Sequence, residues 1–289
     1  MRRAFVVAAI LCLAGCGGST AAATVHSSPS PALGGHIAVG GVPRTYVAFK
    51  PPYLSAAQAA PLVIALHGYT VDAGWMESTT RYDELAKTAG FVVVYPQGIG
   101  NSWNAGACCG QNNYDDVAFM RALITHLMSS ANIDPKRVFV AGMSNGGMMA
   151  QRLACELSDR ITAVASVSGS LMTDSCHPSR AISVMEMHGT ADSIVPYNGG
   201  PKGGLGKIPP TLSVMKQWAG LDGCAPTPVM TQSGIMTTSQ WTGCRDGSSV
   251  VLDAIVGENH TWFNAQSMQG EPEATQVTWD FFSHAPPLL

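Results

Sequence analysis

Short runs of apolar residues alternate along this chain with polar stretches of helical period, and the alternation predicts its architecture. Pro61 to Leu66, Phe91 to Tyr95, Arg137 to Ala141, Ile161 to Val167, Ala181 to Met187 and Ser249 to Val256 have the length and apolar content of buried strands. From Tyr114 to Ser129, Val117, Met120, Leu123, Ile124 and Leu127 recur at helical spacing and mark a core-facing stripe. Further helices are predicted near Thr80 to Thr88, over Met148 to Leu157, around Pro210 to Leu221 and over Ala274 to His284. At the front, His36 to Val39 and Arg44 to Phe49 would pair through Gly40-Gly41-Val42-Pro43 as a hairpin. Strands alternating with helices imply an α/β fold with a mainly parallel central sheet and helices on both faces. One domain over residues 36–289 is expected, without an internal repeat.

Composition refines this picture. Only 12% of residues are charged while 46% are hydrophobic, so the chain can bury a large core. A formal net charge of −3 offers no basic patch and no case for nucleic acid. The first residues read as an export signal: Arg2 and Arg3 supply positive charge, and Ala4 to Leu13 form an apolar stretch too short to span a membrane. Leu13-Ala14-Gly15-Cys16 resembles a lipobox, with cleavage after residue 15 and lipid on the Cys16 sulfur; the alternative is a simple secretory signal cut slightly later. Gly17 to Gly35 is rich in small and polar residues and reads as a flexible tether. The expected location is thus the cell envelope, with the membrane met only through the lipid on Cys16 at its outer face.

Export fits the cysteines. Besides Cys12 and Cys16 there are six: Cys108, Cys109, Cys155, Cys176, Cys224 and Cys244. An even number in an oxidising compartment suggests disulfides, with Cys224 and Cys244, flanking a hairpin-like segment, as the expected pair. The pairing of the other four stays open. Adjacent cysteines do not match zinc-ligand spacing, so no metal is expected, and the chemistry below needs no cofactor.

That chemistry centres on Ser144. Gly142-Met143-Ser144-Asn145-Gly146 follows the apolar run ending at Ala141 and precedes a helix-prone stretch, the pattern of a nucleophile elbow. Side chains two residues either side would collide with the neighbouring strand and helix, hence the glycines. Downstream, Asp192 lies just past the strand Ala181 to Met187, in His188-Gly189-Thr190-Ala191-Asp192. His260 lies just past the strand Ser249 to Val256, in Gly257-Glu258-Asn259-His260. Strand carboxyl ends are where open α/β sheets bind ligands. Ser144, Asp192 and His260 therefore form a candidate triad in the order nucleophile, acid, base. His188 reads as a structural histidine near the site, His177 precedes the acid in the wrong order, and Asp115 and Asp116 read as helix-opening residues. The backbone N–H of Asn145 and that of Tyr69, in the loop His67-Gly68-Tyr69-Thr70, are the expected oxyanion donors. The polar, Gly-rich segment from Gly98 to Asn113 could face substrate, with Trp103 either a wall of the pocket or a packed core residue.

Several motifs together resemble the bacterial polyhydroxybutyrate depolymerase and feruloyl esterase family. They are Gly142-Met143-Ser144-Asn145-Gly146-Gly147-Met148-Met149, the run from His188 to Tyr197, Ser102-Trp103-Asn104-Ala105-Gly106-Ala107-Cys108-Cys109-Gly110, Asp115 to Phe119, and His260-Thr261-Trp262. The resemblance runs from about His36 to the C-terminus. It implies an α/β-hydrolase fold and an extracellular serine esterase, with Ser144, Asp192 and His260 as its triad. The chain departs from the family at Tyr69, where members often carry Cys, and at Phe263-Asn264, where many read Pro-Gly. Both positions, and Trp262 beside them, border the expected pocket and bear on the substrate rather than on the chemistry. The expected function is hydrolysis of small or sugar-linked carboxylic esters, of feruloyl, acetyl or short-chain hydroxyalkanoate type, by a monomer. An envelope acyltransferase on the same fold and a catalytically dead lipid-anchored binding protein are the alternatives.

Overall fold

The computed structural model describes residues 34–55, 57–109, 113–264 and 273–288. The expected signal segment, Cys16 and nearly all of the expected tether lie outside the described residues. β1 (Gly35–Val39) and β2 (Val42–Phe49) form the predicted hairpin, with Val39 paired to Val42 across the turn. β3 (Ala60–Leu66), α1 (Ala73–Thr80), α2 (Tyr82–Ala89) and β4 (Val92–Pro96) follow, then α3 (Asp116–Ser130), β5 (Ile133–Met143), α4 (Asn145–Glu156) and β6 (Ala163–Val167). The second half comprises β7 (Ser183–Gly189), the small hairpin of β8 (Gly200–Lys202) and β9 (Gly206–Ile208), α5 (Thr211–Leu221), β10 (Val229–Ser233), β11 (Met236–Trp241), β12 (Val250–Ile255) and α6 (Ala274–His284).

Ten strands form one sheet in the order β1-β2-β4-β3-β5-β6-β7-β12-β11-β10. The six from β4 to β12 in that order run parallel, and antiparallel pairs extend both edges. Side chains alternate across the pleat, so each strand feeds two cores. Leu62, Ile64, Val138 and Val140 pack on one face with Phe119, Leu123, Leu153 and Trp218. Val63, Ala65, Phe139 and Ala141 pack on the other with Met76, Tyr82 and Phe282. Burial on both faces explains why these strands are continuous apolar runs.

One element differs from expectation. The single helix predicted near Thr80 to Thr88 is two, because Arg81 adopts a left-handed backbone (φ 53°) between α1 and α2. The Cys224 to Cys244 excursion is a hairpin that joins the main sheet through β11 and β12. Disulfides join Cys224 to Cys244, Cys155 to Cys176 and Cys108 to Cys109. Cys155 lies on α4, behind the elbow, and its bridge ties that helix to the chain beyond β6. Closing a loop of this size stabilises a chain by about 3 kcal/mol in the chain-entropy model.

Candidate active site

Ser144 occupies the turn between β5 and α4 with φ 55° and ψ −119°. Such a backbone costs about 1–3 kcal/mol and persists only where its surroundings enforce it. Its N–H donates to the Val167 carbonyl at 2.8 Å, pinning the turn to the end of β6. Its side chain makes no capping bond to α4, so the hydroxyl is not spent on structure. A Cβ on Gly142 would run into the Gly146 carbonyl, and a Cβ on Gly146 would run into the carbonyls of Leu66 and His67. The turn closes this tightly only because both positions lack side chains.

Asp192 follows β7 and is 5% exposed. Its Oδ1 accepts the backbone N–H groups of Ile194 (2.8 Å) and Val195 (2.7 Å). Its Oδ2 accepts from His260 Nδ1 at 2.8 Å. Burial alone would raise this carboxyl, but hydrogen bonds from His188, His260 and Val195 hold it well below the usual carboxylate range. With Nδ1 donating, Nε2 is the basic atom of His260. The loops carrying Asp192 and His260 are laced together: Asn259 Oδ1 accepts from Ser193 N (2.8 Å), Ser193 Oγ (3.0 Å) and His260 N (2.8 Å). Ser168 Oγ, at the end of β6, donates to the Thr261 carbonyl at 3.2 Å. Asp192 and His260 are thus in direct contact. Ser144 stands at the end of β5, separated from β7 by β6, and among the described residues no hydrogen bond runs from its Oγ to His260. Catalytic contacts of this kind commonly tighten when substrate binds.

The loop after β3 runs directly beside the elbow: a Cβ on Gly68 would lie 3.6 Å from Ser144 Cβ. That is ordinary contact, so the tight backbone approach here falls on Gly146 and not on Gly68. Neither the Tyr69 N–H nor the Asn145 N–H meets a protein acceptor among the described residues. The loop's shape is set by His67, which is fully buried. Its Nε2 accepts the Gly98 N–H at 2.9 Å while its Nδ1 meets the Gly68 carbonyl at 2.7 Å, which defines a neutral imidazole protonated on Nδ1. Burial lowers its pKa accordingly.

Trp103 and Trp262 require a correction. Trp103 is fully buried and braces the site from within: its Nε1 donates to the His67 carbonyl at 2.9 Å. Its backbone is clamped by the Asn145 side chain, which accepts from Trp103 N (2.7 Å) and donates to Trp103 O (3.1 Å). Of the two readings of Trp103, packing holds. Trp262 is likewise buried, its Nε1 donating to Thr275 Oγ1 at 3.0 Å and its ring edge-on to Tyr82. An indole whose only donor is satisfied inside has no reason to turn outward, so neither ring offers a face to substrate. Asp115 caps α3 by accepting the Ala118 N–H, as expected of a helix-opening residue. Asp116 does more. Buried, it pairs with Arg44 at 2.6 Å and accepts the Asn104 N–H at 2.7 Å, so it anchors the loop that carries Trp103.

A mostly parallel sheet with flanking helices and a strained Gly-x-Ser-x-Gly turn at a strand end defines an α/β-hydrolase. The fold is shared with a solved acetyl xylan esterase from Aspergillus awamori: the match has a TM-score of 0.62 at 19% identity and covers 84% of this chain and 94% of that one. In sequence, the chain is 32% identical over 230 residues to feruloyl esterase B of Piromyces equi, covering 75% of this chain but 42% of that relative. It is 27% identical over 203 residues to feruloyl esterase D of Neurospora crassa, covering 69% of this chain and 63% of that one. A family model described as esterase PHB depolymerase matches residues 44–198. The chain belongs to that esterase family.

Proposed function

We propose that this protein is an exported serine esterase that hydrolyses carboxylic esters of feruloyl, acetyl or short-chain hydroxyalkanoate type through an acyl-enzyme. The observation that carries the reading is the 2.8 Å contact between Asp192 and His260 Nδ1, which leaves Nε2 basic on a loop bonded to the strand end beside Ser144. In this mechanism His260 Nε2 takes the Ser144 proton as Oγ attacks the ester carbonyl. The N–H groups of Tyr69 and Asn145 receive the oxyanion, helped by the N-terminus of α4. Collapse expels the alcohol, which takes its proton from His260 and leaves Ser144 acylated. Water, deprotonated by His260, then releases the acid and restores the hydroxyl. Asp192 fixes the imidazole tautomer and offsets the imidazolium charge in both halves.

The domain plan is a signal over residues 1–15, lipidated Cys16 with a tether to residue 35, and the catalytic domain from residue 36 onward. Three disulfides in the folded part support an oxidising location. Purified protein incubated with methyl ferulate, 4-nitrophenyl acetate and a 3-hydroxybutyrate dimer is expected to release free acid from at least one of them. Adding xylose as acceptor should leave free acid as the product. Failure to turn over any of the three contradicts the esterase reading, and accumulation of acyl-xylose in place of free acid contradicts hydrolysis.

A further inference from the structure

Glu186 and His188 stand on β7, two residues apart on one face of the strand, and both are buried at 1% exposure or less. The mechanism above uses neither. Their hydrogen-bond partners favour one proton arrangement. The Trp218 indole N–H can only donate, and it meets Gln151 Oε1 at 3.0 Å. That orients the Gln151 amide, whose Nε2 donates to Glu186 Oε2 at 3.0 Å. Glu186 Oε1 accepts the Gly169 backbone N–H, also at 3.0 Å. Both oxygens of Glu186 thus face N–H donors, as an ionised carboxylate requires. His188 Nδ1 lies 2.9 Å from Glu186 Oε1. His188 Nε2 lies 2.8 Å from the Val195 carbonyl and 3.3 Å from Asp192 Oδ2. Each ring nitrogen faces acceptors, and a carbonyl never donates.

We infer that His188 is a buried imidazolium bridging Glu186 to Asp192, a positioning residue that sets the charge and aim of the carboxylate holding His260. The inference rests on the esterase reading proposed above. Burial by itself would lower the His188 pKa, but hydrogen bonds to Asp192 and Glu186 push it up to about 10. Asp192 Oδ2 therefore accepts from His260 Nδ1 and lies 3.3 Å from His188 Nε2, whose N–H also meets the Val195 carbonyl, so the His188 charge sits against the oxygen that orients His260. Glu186, His188 and Asp192 together present one net negative charge to His260. Without the imidazolium, two carboxylates would share a buried site uncompensated, and a proton would settle on Asp192 or His260 at higher pH. The other groups facing this cluster do not change its charge near neutrality. Tyr197 stands edge-on to His188 at 5.8 Å, and burial pushes its hydroxyl up. On the outer side Lys202 donates to the Ser193 carbonyl.

Two substitutions of opposite charge separate this role from packing. In His188→Gln the acidic limb of the pH profile of kcat/KM is expected to move up by roughly one pH unit, and in Glu186→Gln down by a similar amount. His188→Gln should also lower kcat by about tenfold or more with KM little changed, because the contact matters as His260 takes the proton. Limbs that stay in place, or move in the same direction, overturn the inference. The native protein supplies a check that needs neither variant to fold. Nitrogen-15 spectra of its histidines at pH 8.5 should show a side chain with both ring nitrogens protonated, while finding every histidine neutral there overturns the assignment. That spectrum reads His188 whether or not Ser144 proves to be a nucleophile, so failure here and failure of the esterase reading are told apart.

Discussion

Replacing Ser144 with alanine is expected to lower kcat for ester hydrolysis by about 10⁴- to 10⁶-fold while leaving the fold intact. The two halves of this expectation have separate physical grounds. In the proposed mechanism Oγ is the atom that becomes acylated, and no other hydroxyl sits on the strained turn. Residual turnover would come from the oxyanion donors and from water activated by His260. Stability is spared because Oγ makes no capping bond and because alanine tolerates φ 55° no worse than serine does. Steady-state assays with the best ester found, beside thermal unfolding of both proteins, check the two halves together. A loss of less than about a hundredfold contradicts the assignment of Ser144, since uninvolved surface hydroxyls and structural serines rarely cost more.

Gly146→Ala is expected to damage stability and activity together. Its Cβ would strike the backbone carbonyls of Leu66 and His67, and no rotamer change relieves a collision with backbone. The end of β3 and the start of α4 must part, which pulls the Tyr69 and Asn145 N–H groups away from the oxyanion position proposed for them. A stability loss of roughly 3 kcal/mol and an activity loss of about a hundredfold or more follow from overpacking plus lost oxyanion donors. Gly68→Ala is the control, since its Cβ would meet Ser144 Cβ and the Met143 carbonyl at 3.6 Å, an ordinary contact. Urea unfolding midpoints and kcat/KM for the two variants check this. Equal, small effects at both positions would contradict the tight closure of the elbow.

How much of this could be read from sequence depends on how local the cause was. β3, β5, β7 and β12 are legible because burial on both faces makes continuous apolar runs. α3 is legible because one face alone meets the core. Ser144, Asp192 and His260 are legible as candidates because each follows such a run within a few residues. β10 is hidden: all five of its residues are exposed, so no apolar alternation marks it. α1 is hidden as well, since glycine and threonines weaken its helical signal and its start depends on Asp72 accepting the Trp75 N–H. Trp103 and Trp262 show the limit from another side. Their position beside the site is local, but the direction of each ring depends on Asn145, His67 and Thr275, distant in sequence from the ring they hold. Glu186 did carry a signal: a carboxylate inside the apolar run from Ala181 to Met187 must be paired or give up its charge, and such groups are seldom idle.

Treating the purified protein with a fluorophosphonate and mapping the modified peptide by mass spectrometry tests the central claim most directly. The account predicts stoichiometric labelling on Ser144, lost in Ser144→Ala. A folded protein that takes no label, or takes it on a different residue, would contradict it.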